Sequence, residues 1–137
     1  MEKEKIENTK KEIENKQLIL IPKIEDYIEY MLSNVISKLP RTEKFNIGNE
    51  YKKSMYEILE YTLYISKMNE KTNKNINAIC LNYINPIDAK LSCQRVYLRI
   101  MKKQRWIDTK KFDVAMAKIY EMGKIVGGLI KYYAKNY

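Results

Sequence analysis

The 137-residue chain is 45% hydrophobic and 31% charged, with a formal net charge of +9, the balance of one globular domain that buries its own core rather than of a disordered chain. Four Gly and three Pro are too few for a turn-rich sandwich or barrel, and two Cys make no disulfide scaffold. The absence of His removes the commonest general base and the commonest metal ligand together.

Residues 1–17 alternate Lys, Glu and Asn, with five Lys against five Glu and only Ile6 and Ile13 apolar. A frayed helix and a disordered segment both fit, and the favoured expectation is a charged N-terminal tail preceding a bundle over residues 18–137. The first strong helix is expected from Pro22 to Leu39. Pro22 suits a first turn, and Glu25 and Asp26 complement the N-terminal dipole. Ile24, Tyr27, Ile28, Met31, Leu32, Val35, Ile36 and Leu39 recur at helical spacing, and Pro40 ends the run.

Residues 39–50 read as the one long connection, holding Arg41 and Lys44, with Phe45 as an anchor packed beneath it and Asn46 as an N-cap. A second helix then runs to about Asn69. Ile47, Tyr51, Met55, Ile58, Thr62 and Ile65 form one stripe, and Tyr56, Leu59 and Leu63 a second. Residues 69–77 read as a polar loop. The third helix spans Ile76 to Gln104, with a kink or restart expected near Pro86. Its core stripe is Ile84, Ile87, Leu91, Gln94, Leu98 and Met101, beside a second stripe of Ala89, Cys93, Val96, Tyr97 and Ile100. The fourth helix follows Trp106-Ile107, with Asp108 as N-cap, and carries Phe112, Met116, Ile119, Gly123, Val126, Ile130 and Tyr133 to its end. These elements predict an all-α, up-down-up-down four-helix bundle. A bundle helix normally keeps one solvated face, so the doubled stripes point to a homo-oligomer unless those helices are deeply buried.

The charge is localised. Residues 1–17 and 18–89 are each neutral overall, whereas residues 90–111 hold eight basic residues against the single acid Asp108. Lys outnumbers Arg 22 to four, a bias that mere solubility explains for Lys but not for Arg, whose planar fork suits phosphate and carboxylate. Arg95, Arg99, Lys102 and Lys103 share one helix side, and Arg105, Lys110 and Lys111 carry the field around the following turn. With Arg41 and Lys44 these are the candidate contacts for a polyanion. Gly123-x-x-x-Gly127 reads as close helix packing, since Lys118, Lys124 and Lys131 exclude a membrane span. Cys80 and Cys93 read as buried small hydrophobes. Glu57, Glu60, Asp113 and Glu121 are acids that no spacing sets apart, and there is no Gly-rich phosphate loop. The chain is therefore expected to be no enzyme, to need no cofactor or metal, to avoid membranes and to reside in a reducing cytoplasm.

Leu39-Pro-Arg-Thr-Glu-Lys-Phe-Asn-Ile-Gly48 resembles the first inter-helix loop of the accessory variability determinants, the four-helix-bundle accessory proteins of diversity-generating retroelements. Asp88-x-x-Leu91-x-x-x-Arg95-x-x-Leu98-Arg99, Trp106-Ile107-Asp108 and Ile119-x-x-Met122-Gly123-x-x-x-Gly127-Gly128-Leu-Ile-Lys131 are similar to the same family, over roughly residues 20–133. The resemblance implies a pentameric, barrel-like ring and a basic surface that binds reverse transcriptase and template RNA, or DNA or an RNA–DNA hybrid, during mutagenic copying. Bundle proteins encoded in ribosomal RNA intervening sequences are similar in architecture and stand as the alternative. Two features depart from the family pattern: Asn49-Glu50 stand where a basic residue is frequent, and residues 1–17 have no evident counterpart.

Overall fold

A computed structural model describes residues 1–68 and 75–135, among which the regular structure is entirely helical. Four long helices, α1 (Glu2–Asn34), α3 (Ile47–Lys67), α4 (Ile76–Lys103) and α5 (Thr109–Lys135), account for most of it. A 3-10 turn (Ile36–Lys38) and the short α2 (Arg41–Phe45) occupy the α1–α3 connection. The polar loop expected at 69–77 lies largely outside the described residues.

Side-chain pairs fix the directions. Along α1 the partners Gln17, Lys23 and Asp26 meet Tyr133, Glu121 and Lys118 of α5 in descending order. Ser54, Glu57 and Tyr61 of α3 likewise meet Gln94, Lys90 and Tyr83 of α4. Both pairs are antiparallel, and α4 also packs on α5 and α1 on α3. Sequential neighbours running in opposite senses make the expected up-down-up-down bundle, in which α1 and α4 point the same way.

The core follows the predicted stripes closely. Ile24, Tyr27, Met31, Tyr51, Met55, Ile58, Ile84, Leu91, Leu98 and Met101 are fully buried or nearly so. On α5 the buried set is Ala115, Ile119, Met122, Val126, Leu129 and Tyr133, a face turned partly away from the expected stripe. At the centre the core is polar. Tyr51 OH donates to Tyr27 OH, Tyr27 OH donates to Gln94 Oε1 at 2.7 Å, and Gln94 Nε2 donates to Ser54 Oγ at 2.9 Å. No buried side-chain polar atom among the described residues lacks a partner, as burial demands. Burial pushes the Tyr27 hydroxyl well above its ordinary value; neighbouring Tyr51 adds to the rise and Arg95 opposes it.

Several expectations are corrected. α1 begins at Glu2 instead of Pro22, so residues 2–17 are helix and not a disordered tail. Ile13 sits seven residues before Leu20, itself seven before Tyr27, and all three are buried on one face. Pro22 lies on the exposed outer side of α1, where it removes one backbone hydrogen bond without ending the helix. Phe45 is 69% exposed and stands outside the core among the described residues. Asn46 precedes α3 without a side-chain capping bond. α4 continues through Pro86 without a restart. Cys93 is exposed, while Cys80 is buried and burial raises its thiol pKa. A Cβ on Gly127 would meet nothing within 4 Å, so Gly123-x-x-x-Gly127 is not a close-packing motif.

Candidate polyanion-binding end and partner face

The topology gathers the candidate cations. Because α1 and α4 run the same way, the α1–α3 and α4–α5 connections share one end of the bundle. Asp108 helps to raise the pKa of Tyr30, after burial and against Lys118, consistent with the α4–α5 turn lying beside the end of α1. Arg41 and Lys44 in α2 therefore stand at the same end as Lys102, Lys103, Arg105, Lys110 and Lys111.

The α4–α5 turn is built in detail. Trp106 N–H donates to the Met101 carbonyl and Arg105 N–H to the Lys102 carbonyl, both at 3.0 Å, the paired bonds of a Schellman C-cap. That cap requires a left-handed residue, and Arg105 supplies it at φ 61°, a place Gly usually takes. Asp108 Oδ1 then accepts from the Lys111 N–H at 2.8 Å, capping α5 as expected. Lys102 and Lys103 lie in the last turn of α4, where cations complement the helix dipole. Lys102 Nζ also stands 4.4 Å from the centroid of the Phe112 ring.

Three lysines on the sides of the bundle are held in ion pairs. Lys23, Lys90 and Lys118 bind Glu121, Glu57 and Asp26 at 3.1, 2.7 and 2.6 Å. The Lys90 hydrogen bond lowers the Glu57 pKa. Lys111 reaches Asp108 only at 3.9 Å. Among the described residues Arg41, Lys44, Arg95, Arg99, Lys102, Lys103, Arg105 and Lys110 form no ion pair with an acid. Arg95 is half-buried beside α5, and Lys44 is half-buried; Arg41, Arg99, Lys102, Lys103, Arg105 and Lys110 are exposed.

The second apolar stripes are open to solvent. Tyr56, Leu63, Val96 and Ile100 are exposed along with Ala89 and Cys93, and only Leu59 and Tyr97 are half-covered. Burial inside the chain's own bundle therefore does not explain them. A further apolar patch lies on α1, where Leu18–Ile21 read as a short apolar entry ending at Pro22: Leu18 is 65% and Ile19 51% exposed. No cluster of metal-ligating residues exists among the described residues, nor any helix long and apolar enough to cross a membrane.

The described residues thus form an all-helical bundle with a cationic end and an exposed apolar face. The family comparison is specific: a family described as bAvd-like matches residues 18–133, and the chain belongs to it. It is thus an Avd-related accessory protein. No curated protein and no solved structure matches the chain.

Proposed function

We propose that this protein is the non-enzymatic accessory subunit of a diversity-generating retroelement, self-assembling as a pentameric ring and binding template RNA and reverse transcriptase. The observation that carries the RNA contact is the set of unpaired cations, Lys102, Arg105, Lys110 and Arg41, brought to one bundle end from two separate connections. Unpaired cations crowded together repel one another, and phosphates relieve that repulsion while releasing counterions. A ring repeats the end several times, so weak contacts add by avidity. Membership of the bAvd-like family supports the retroelement context.

The test is RNA binding by fluorescence anisotropy across a salt series. Lys102→Ala, Arg105→Ala and Lys110→Ala combined should reduce the slope of log affinity against log salt by about three, about one for each phosphate no longer neutralised. Lys23→Ala, which removes a cation paired on the bundle side, should change it far less. Equal slopes for the triple variant and the parent sink the RNA assignment. Co-purification with the reverse transcriptase tests the second partner, and its absence removes that part of the reading.

A further inference from the structure

The exposed outer faces of α1 and α4 match one another. On α1 the outermost residues include Leu18, Pro22, Glu25 and Glu29; on α4 they include Ser92, Val96, Arg99 and Lys103. Both sets follow steps of four, three and four residues, which keep each set on one helical stripe. Each begins with uncharged positions, Leu18 and Pro22 (with Ile19 beside them) against Ser92 and Val96 (with Cys93 and Ile100). Each then ends, toward the C-terminus of its helix, in two charges of opposite sign to the other set. All eight residues are exposed, and Glu25, Glu29, Arg99 and Lys103 form no ion pair among the described residues.

We infer that the outer face of α4 docks on the outer face of α1 in a second copy of this chain, with Val96 against Pro22, Arg99 against Glu25 and Lys103 against Glu29. This rests on the self-association proposed above and names its surface. The contact joins two different faces, so it is head-to-tail, which closes into a ring where the rotation between copies allows and otherwise runs on as a filament. In copies pointing the same way α1 and α4 are parallel, as the matched order requires. Within one protomer Tyr27 is level with Gln94, whereas the docking register pairs position 27 with 101. Neighbours are thus staggered by about 10 Å at 1.5 Å per residue, which a ring accommodates by inclining its bundles. The apolar strip supplies the attraction, and the charge pairs set partner and register. Arg99 and Lys103 then serve assembly, leaving Lys102, Arg105, Lys110 and Arg41 for phosphate.

Light scattering on the full chain decides it. The parent is expected at a defined multiple of 16.4 kDa. Arg99→Glu plus Lys103→Glu should lower the mass to one chain, as should Glu25→Lys plus Glu29→Lys. Combining all four substitutions should restore the parent mass. Circular dichroism should stay unchanged, because all four positions are exposed. A parent that is itself a monomer overturns the self-association reading. A multimeric parent whose mass neither double variant changes, or that the fourfold exchange fails to restore, overturns this surface alone.

Discussion

Arg95 reaches α5 at Gly123: a Cβ placed on Gly123 would lie 3.0 Å from Arg95 Nη2. The glycine therefore makes room for a guanidinium, whereas four residues further on a Cβ at Gly127 would stand in open space. Ala gains about 0.8–1 kcal/mol over Gly in a helix interior. Gly127→Ala should realise that gain in full by urea denaturation. Gly123→Ala should realise less, because Arg95 must move. In an Arg95→Ala background the two gains should become equal, while an unchanged difference would remove Arg95 as its cause.

The Tyr51–Tyr27–Gln94–Ser54 chain joins three helices through the middle of the core. Tyr27→Phe deletes the hydroxyl that both receives from Tyr51 and donates to Gln94, leaving a buried donor and a buried acceptor without partners. A loss of about 1–3 kcal/mol is expected, larger than for Tyr64→Phe, whose hydroxyl is exposed. Equal effects at the two positions would show that water replaces the missing bonds.

Burial raises both Tyr27 and Tyr51 above the ordinary value of 10.0. The folded state thus holds these protons more tightly than the unfolded chain does. Their contribution to stability is complete below pH 10 and is lost as pH rises above it. Alkaline titration should show the buried pair ionising only together with loss of helical signal. Ionisation of every tyrosine in one step with helicity intact would contradict their burial.

Legibility tracks the density of apolar positions. Where each turn carries an apolar residue, as from Ile84 to Met101, the buried face is readable to the residue. Residues 2–17 offer only Ile6 and Ile13, and average polarity conceals the seven-residue spacing from Ile13 through Leu20 to Tyr27, which continues the core face. Phe45 is misplaced by its hydrophobicity, which says that a residue gains from cover without saying whose. The candidate cations are found by counting. Their meeting with Arg41 and Lys44 at one end depends on helix direction, which emerges only when all four helices pack. The left-handed Arg105 leaves no sequence signal, since Gly marks that position in most caps.

Arg105 provides the sharpest separation of stability from binding. At φ 61° its side chain costs about 1–2 kcal/mol that glycine avoids, and part of the relief is offset because glycine leaves the unfolded chain freer. Arg105→Gly should therefore stabilise the fold by about 0.5–1 kcal/mol in urea. Arg105→Ala keeps the strain and should give no such gain. Both remove the same cation, so both should weaken RNA binding and reduce its salt slope by about one. A residue kept only for folding would show the stability difference with no change in binding. A binding loss shared by both variants, with stability gained in only one, means that the left-handed turn holds its arginine for a ligand. Unchanged binding in both variants returns Arg105 to the solvated surface and leaves the phosphate contacts to Lys102, Lys110 and Arg41.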